Sequence, residues 1–224
     1  MITQTDIVNV LQNMSITRPA FCSEADFQLA FSWELKNYLA RNPKLSGSYE
    51  VFLERRFETD KKSYYVDICL ESEEELCLIE LKYKTICDEV VIYNRLSDKY
   101  MLKEQAANDL GRYGYLKDVY RIENILQSNS KNIRKGFAII LTNDYKYYQE
   151  PTFSLKTIDR TFRIHERTST LNPFVNPIEW SILTATPKWI NSYPSFAIQH
   201  IPSFKWHTYS KQANRIFKYL ITEI

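Results

Sequence analysis

An acid followed two residues later by a lysine occurs four times in this chain, at Glu34-Leu-Lys36, Asp60-Lys-Lys62, Glu80-Leu-Lys82 and Asp144-Tyr-Lys146. The pair can act on one substrate only where both side chains share a face, which positions two apart do on a strand and not on a helix. Glu34 and Lys36 fall within a helical pattern, Asp60 in a charged loop, and Asp144 just past a strand end. Glu80 and Lys82 alone lie inside a run, Glu75 to Lys84, that reads as a strand.

The run before it, Ser63 to Glu71, reads as the other arm of a hairpin, and its register can be tested from the pattern because a one-residue slip exchanges the faces. If partners sum to 147, one face collects Val66, Ile68, Leu70, Cys77, Ile79 and Leu81, all apolar. The other collects Tyr65, Asp67, Cys69, Glu71, Leu76, Leu78, Glu80 and Lys82, with Asp67 across from Glu80 and Tyr65 across from Lys82. The neighbouring register mixes acids and lysine into the apolar face. Glu73-Glu74 lacks the glycine or asparagine that two-residue hairpin loops favour, so a longer loop of the same parity is expected. In this register Cys69 and Cys77 fall on opposite faces and cannot form a disulfide.

Two carboxylates about 4 to 5 Å apart repel by roughly 3–4 kcal/mol at an effective dielectric of 20. A divalent cation offsets this directly, and hard oxygen ligands suit Mg2+ or Mn2+. Asp67 and Glu80 are the expected ligands. Lys82 beside them could position or deprotonate an attacking water and stabilise charge developing on a phosphate. The competing reading is a solvated strand whose acids pair with Lys82. Glycoside hydrolysis by two carboxylates is disfavoured, since Lys82 has no part in it and the facing pair is closer than that chemistry uses.

Asp67 with Glu80-Leu-Lys82, in an αβββαβ order, resembles the PD-(D/E)xK nuclease superfamily, with Val66 where the proline of that name would stand. The resemblance implies an α/β (α+β) restriction-endonuclease-like core with a mixed sheet, metal held by Asp67 and Glu80, and water positioned by Lys82. Glu24 sits early in the first helix, where many members add an acid. Gln105 lies on the expected second helix, where some place a glutamine. The runs 102–113, 138–144 and 217–224, with Lys117-Asp118 and Arg121-Ile-Glu123, resemble a bacterial group of the superfamily. The implied activity is Mg2+- or Mn2+-dependent hydrolysis of nucleic acid, DNA ahead of RNA, in restriction or defence, and a homodimer is compatible with it. The alternative is an inactive module of the same fold that binds nucleic acid or a protein.

Other residues divide between two readings. Glu24 is either a site acid or a helix N-terminal acid favoured by the dipole. Gln105, Asp109 and Arg112, at i, i+4 and i+7, form either a solvated stripe or one lining the cleft, with Arg112 meeting phosphate. Of Arg55-Arg56, Arg56 is the one expected toward the cleft.

These residues must be positioned by a chain of 224 residues, 44% hydrophobic, which suffices for a sizeable core. A helix is expected over about 23–41, opened by Ser23 with Asp26 three residues on. Strands follow at Tyr49 to Phe57, Ser63 to Glu71 and Glu75 to Lys84, then a helix over Lys99 to Leu126 and a strand buried on both faces at Gly136 to Thr142. Residues 1–150 form the expected core. Residues 151–224 form an extension with an amphipathic helix near Phe153 to Ile164 and a last strand, Ile216 to Ile224, returning to the sheet. Four glycines, none clustered, exclude phosphate-cradling loops and with them a nucleotide cofactor. Net charge is +2. Residues 1–150 carry 20 basic and 23 acidic side chains and residues 151–224 carry 9 and 4, so Arg160, Arg163 and Arg167 are candidates for guiding a polyanion. No signal peptide, no membrane span and no C-x-x-C pair is evident, and a cytoplasmic protein with reduced thiols is expected.

Overall fold

Thr3 opens the first helix, α1 (Gln4–Thr17), by accepting a hydrogen bond from Asp6 N while the Asp6 carboxylate takes the Thr3 N–H, a reciprocal capping box. This helix lies outside the sequence expectations. The computed structural model describes residues 1–45, 49–59, 62–93, 98–151, 157–166, 175–181, 185–200, 203–212 and 215–224. Helix α2 (Glu24–Arg41) starts where expected, with Ser23 Oγ accepting from Asp26 N. It buries Phe27, Phe31, Leu35 and Leu39, one stripe at helical spacing.

Strands β1 (Glu50–Glu58), β2 (Ser63–Glu71) and β3 (Glu75–Lys84) form an antiparallel meander. The register is the expected one over four pairs, Ile68 with Ile79, Cys69 with Leu78, Leu70 with Cys77 and Glu71 with Leu76, but the ladder ends there, so the expected facing pairs Asp67–Glu80 and Tyr65–Lys82 are not formed. The turn is shorter than expected. Ser72 N–H donates to Glu75 O, so Glu73-Glu74 is a two-residue loop. Ser72 Oγ takes the Glu75 N–H, and Lys131 Nζ holds the carbonyls of Ser72 and Glu73, which replaces the help a glycine would give.

The expected helix over 99–126 splits. Lys99–Leu102 is instead strand β5, paired with β4 (Asp88–Val91) in a two-stranded sheet, because Tyr100 and Leu102 turn inward while Lys99 and Met101 face solvent. Helix α3 begins only at Asn108 and runs to Ser128, with Ala107 before it in a left-handed conformation, φ 67°. It crosses from β3 to the parallel strand β6 (Ile133–Thr142). Gly136 lets the two pack, since a Cβ there would stand 2.1 Å from Ile122 Cγ2.

The last strand returns to the sheet as expected: β8 (Ile216–Glu223) pairs antiparallel with β6, and β7 (Trp206–Lys211), which sequence reasoning missed, pairs with β8. The result is a mixed α/β protein with a six-stranded, mostly antiparallel sheet of order β1-β2-β3-β6-β8-β7. Helices α1 and α2 cover one face over Ile68, Leu70, Ile79, Leu81, Phe137 and Phe217. Helix α3 and the C-terminal segment cover the other over Leu76, Leu78, Ala138, Ile140 and Leu220. The short helix α4 (Pro187–Ser192) belongs to that segment. The helix expected over 153–164 is not formed in its described part. Residues 158–162 are turns, and consecutive Phe162, Arg163, Ile164 and His165 are all buried, which leaves no solvent face for an amphipathic helix. Cys69 and Cys77 are free and lie on opposite faces. No helix among the described residues is long and apolar enough to cross a membrane.

Candidate active site

Ladder pairing between β2 and β3 stops at Ile68 and Ile79. Beyond it the N–H groups of Leu81 and Tyr83 have lost their strand partner, and a buried backbone donor must be satisfied. Asp67 Oδ2 takes the Leu81 N–H at 2.7 Å and Glu24 Oε2, from the first residue of α2, takes the Tyr83 N–H at 2.9 Å. Two carboxylates thereby replace the missing strand, and each does so with one oxygen.

The split has a counterpart on β1. Glu54 stands opposite Asp67 where the β1–β2 ladder skips a pair, and its φ of 50° is one a glutamate rarely adopts. Gln28 of α2 bridges the gap by donating to Glu54 Oε1 at 2.8 Å and to the Asp67 carbonyl at 3.2 Å. The irregularity turns both strands. Val66 therefore packs toward α3 rather than beside Ile68 and Leu70, which corrects the expected face. Arg55, not Arg56, shares the face of Cys69 and Glu71: it donates to both and lies over Phe52 and Phe57. Arg56 hydrogen-bonds Ser63 and pairs with Glu58, its side chain more than half exposed.

Glu80 and Lys82 point to the α3 side of β3, where they meet two residues to which sequence reasoning gave no role. Lys82 Nζ lies 2.6 Å from Asp118 Oδ2, and Arg121 Nη2 lies 2.7 Å from both Glu80 Oε1 and Asp118 Oδ1. The two α3 residues sit at i and i+3, the spacing that makes neighbours on one helix face. Gly114, one turn earlier, permits the approach, because a Cβ there would stand 3.0 Å from Lys82 Cε.

Electrostatics binds these groups into one unit. Burial, then the Asp118 carboxylate, pushes the Glu80 carboxyl well above the usual range despite Arg121 in contact, and Asp67 adds to the rise. Asp67 is pushed up to about 6 by burial, with the Leu81 N–H and Lys82 working against the rise and Asp118 and Glu54 adding to it. Burial opposes the Lys82 ammonium, yet Asp118 holds it above the usual lysine value, with help from Glu24 and Glu80. Lys82 is thus a fixed cation and a donor. At the rim, burial and then the charges of Lys62 and Arg121 lower Lys117, which marks three cations crowded together.

The remaining expected residues separate from this centre. Gln105 is on no helix, so the stripe with Asp109 and Arg112 does not exist. It lies in the segment between β5 and α3, its N–H on Thr85 O just past the end of β3, and its Oε1 is buried without a hydrogen-bond partner. Arg112 is turned to the C-terminal segment, ion-paired with Asp159 and donating to Lys146 O at 2.7 Å. It lines a cavity of about 710 Å3 to which Asp67, Glu80 and Lys82 contribute nothing. Arg163 is buried beside Asp159 rather than presented to a polyanion, and Arg167 lies outside the described residues. Comparison with family models, with curated proteins and with solved structures finds no match to this chain.

Proposed function

We propose that this protein is a divalent-metal-dependent nuclease of the PD-(D/E)xK type, with a restriction-endonuclease-like core, acting on nucleic acid and on DNA ahead of RNA. The observation that carries the proposal is the strand split. Asp67, Glu24, Glu80 and Lys82, on three different elements, meet where β2 leaves β3, and Asp67 and Glu24 each take one stranded N–H through a single oxygen.

The donor chemistry fits a divalent cation. Burial, with the neighbouring carboxylates adding to it, makes Asp67 and Glu80 hold their protons more tightly than ordinary carboxyls, and a bound cation would offset both causes. Three buried or part-buried acids, Asp67, Glu80 and Asp118, face two cations, Lys82 and Arg121, so one more positive charge is accommodated. Among the described residues no three His, Cys, Asp or Glu side chains form a metal-holding group, and Asp67 and Glu80 alone would hold Mg2+ or Mn2+, ions that are commonly bound by two carboxylates and water. When bound, the ion supplies Lewis-acid polarisation of the phosphoryl group and favours the nucleophilic form of water.

The chain's own groups do the rest. Lys82, kept charged by Asp118, donates to oxygen on which charge develops, and is a stabiliser rather than a base. Glu24 stands beside it, 3.7 Å from Lys84 Nζ. Lys62 and Lys117 at the rim give the phosphate backbone a cationic approach that the chain's near-neutral net charge does not.

The test is incubation of the pure protein with single- and double-stranded DNA and RNA in Mg2+, Mn2+ or chelator. Cleavage that needs the cation and disappears in Asp67→Ala supports the proposal. A protein that binds nucleic acid equally in chelator and cleaves none is the inactive module instead.

A further inference from the structure

Arg121 holds two carboxylates through a single nitrogen. Its Nη2 lies 2.7 Å from Glu80 Oε1 and 2.7 Å from Asp118 Oδ1, while its Nε is buried and makes no hydrogen bond. A guanidinium binds a carboxylate best through two parallel N–H donors, and this one uses none of that geometry toward either partner. Both carboxylates are nearly inaccessible, at 3% and 4% side-chain exposure, whereas Arg121 is 28% exposed. Of the three groups the arginine alone has a route outward.

We infer that Arg121 is a displaceable counter-cation. In the metal-free protein it occupies Glu80 Oε1 and Asp118 Oδ1. Asp67 and Glu80 would hold a divalent cation, and Glu80 so engaged would release the guanidinium. Asp118, one turn back on the same helix, keeps it tethered at the site, where it joins Lys117 and Lys62 and turns its unused donors to a phosphate oxygen of the nucleic acid. Arg121 is then a phosphate clamp that becomes available only once metal is in place, so that substrate engagement follows metal binding.

The inference rests on the metal-dependent reading above, and its first test needs no catalysis. Mn2+ binding to the full chain is measured by calorimetry for wild type, Arg121→Gln, Arg121→Lys and Asp67→Ala. Arg121→Gln should bind Mn2+ about tenfold tighter or more, since no resident charge has to be displaced, with Arg121→Lys between it and wild type. The lysine variant keeps a cation against Glu80 and Asp118 and so guards against simple misfolding of the glutamine one. In Ca2+, Arg121→Gln should bind a short duplex about tenfold more weakly than wild type and with a shallower salt dependence. Equal or weaker Mn2+ binding by both Arg121 variants, with wild-type binding abolished in Asp67→Ala, overturns the inference and leaves the nuclease reading standing. No Mn2+ binding by any of the proteins overturns both.

Discussion

Asp67→Asn removes a charge that the folded protein holds at a cost and keeps the oxygen that Leu81 N–H needs. The Asp67 carboxyl is raised from its ordinary 3.8 to about 6, chiefly by burial, with the Leu81 N–H and Lys82 opposing and Asp118 and Glu54 adding. Between those two values the unfolded chain has released its proton while the folded chain retains it, so stability is lost as pH rises through about 6 and is intact below 3.8. A rise of roughly two units corresponds to about 3 kcal/mol. Asn has no proton to lose. In chelator at pH 7.5 Asp67→Asn should therefore be the more stable protein by up to ~3 kcal/mol, or about 6–12 °C in melting temperature at this chain length. Near pH 4.5 the advantage should shrink toward zero, because Glu80 and Asp118 are common to both proteins. Mg2+ should erase and then reverse the order, since a ligand that binds only the folded protein adds about 2.7 kcal/mol at a hundredfold excess over its Kd and about 4.1 kcal/mol at a thousandfold. The assay is thermal unfolding of both proteins from pH 4.5 to 8, with and without Mg2+. An Asn variant that melts below wild type in chelator at pH 7.5, or a difference that ignores pH, refutes the electrostatic account of the site.

Three further outcomes follow from the contacts. Lys82→Ala should cost about 2–4 kcal/mol in denaturant unfolding, because it breaks a largely buried pair and leaves Asp118 to Arg121 alone; the simple expectation for a solvated lysine, a change under about 0.5 kcal/mol, would show that the pair does not form in solution. Gly114→Ala gains helix propensity of ~1 kcal/mol yet crowds Lys82 Cε, so melting should move little while metal-dependent cleavage falls about tenfold; unchanged cleavage would mean that Lys82 does not pass over this glycine. Arg112→Ala should destabilise by about 3–5 kcal/mol and expose residues 145–166 to limited proteolysis, since Asp159 is then buried without Arg112; wild-type protease resistance would remove Arg112 as the anchor of the C-terminal segment.

What the chain discloses about itself depends on how far each signal reaches. The β2–β3 register was legible because both strands are half apolar and a slip of one residue moves every acid to the wrong face. Helix α2 was legible from its cap and its stripe. The division at residue 107 was not, because Lys99 to Leu102 supports either period over so short a span, and alanine carries no preference for the left-handed conformation that separates β5 from α3. Glu54 conceals the turn of β1 and β2 for the same reason, since nothing in its type announces a positive φ.

The site shows the same boundary. That Asp67 and Glu80 lie on adjacent strands could be inferred, and so could the need for a counter-charge, but not that the strands part before the two acids pair. Sequence reasoning assigned that charge to a metal and did not foresee Arg121, which the helix of the parallel crossover brings to Glu80 from 41 residues away. The spacing of Asp118 and Arg121 was visible as an i, i+3 pair, but an ion pair on a helix is ordinarily a surface feature worth a few tenths of a kcal/mol. Only packing α3 against β3 buries it and turns it toward Lys82. A lysine that sequence alone leaves free to act as acid or base is thereby held toward its charged form, because its partner is a carboxylate at 4% exposure that pairs with both Lys82 and Arg121.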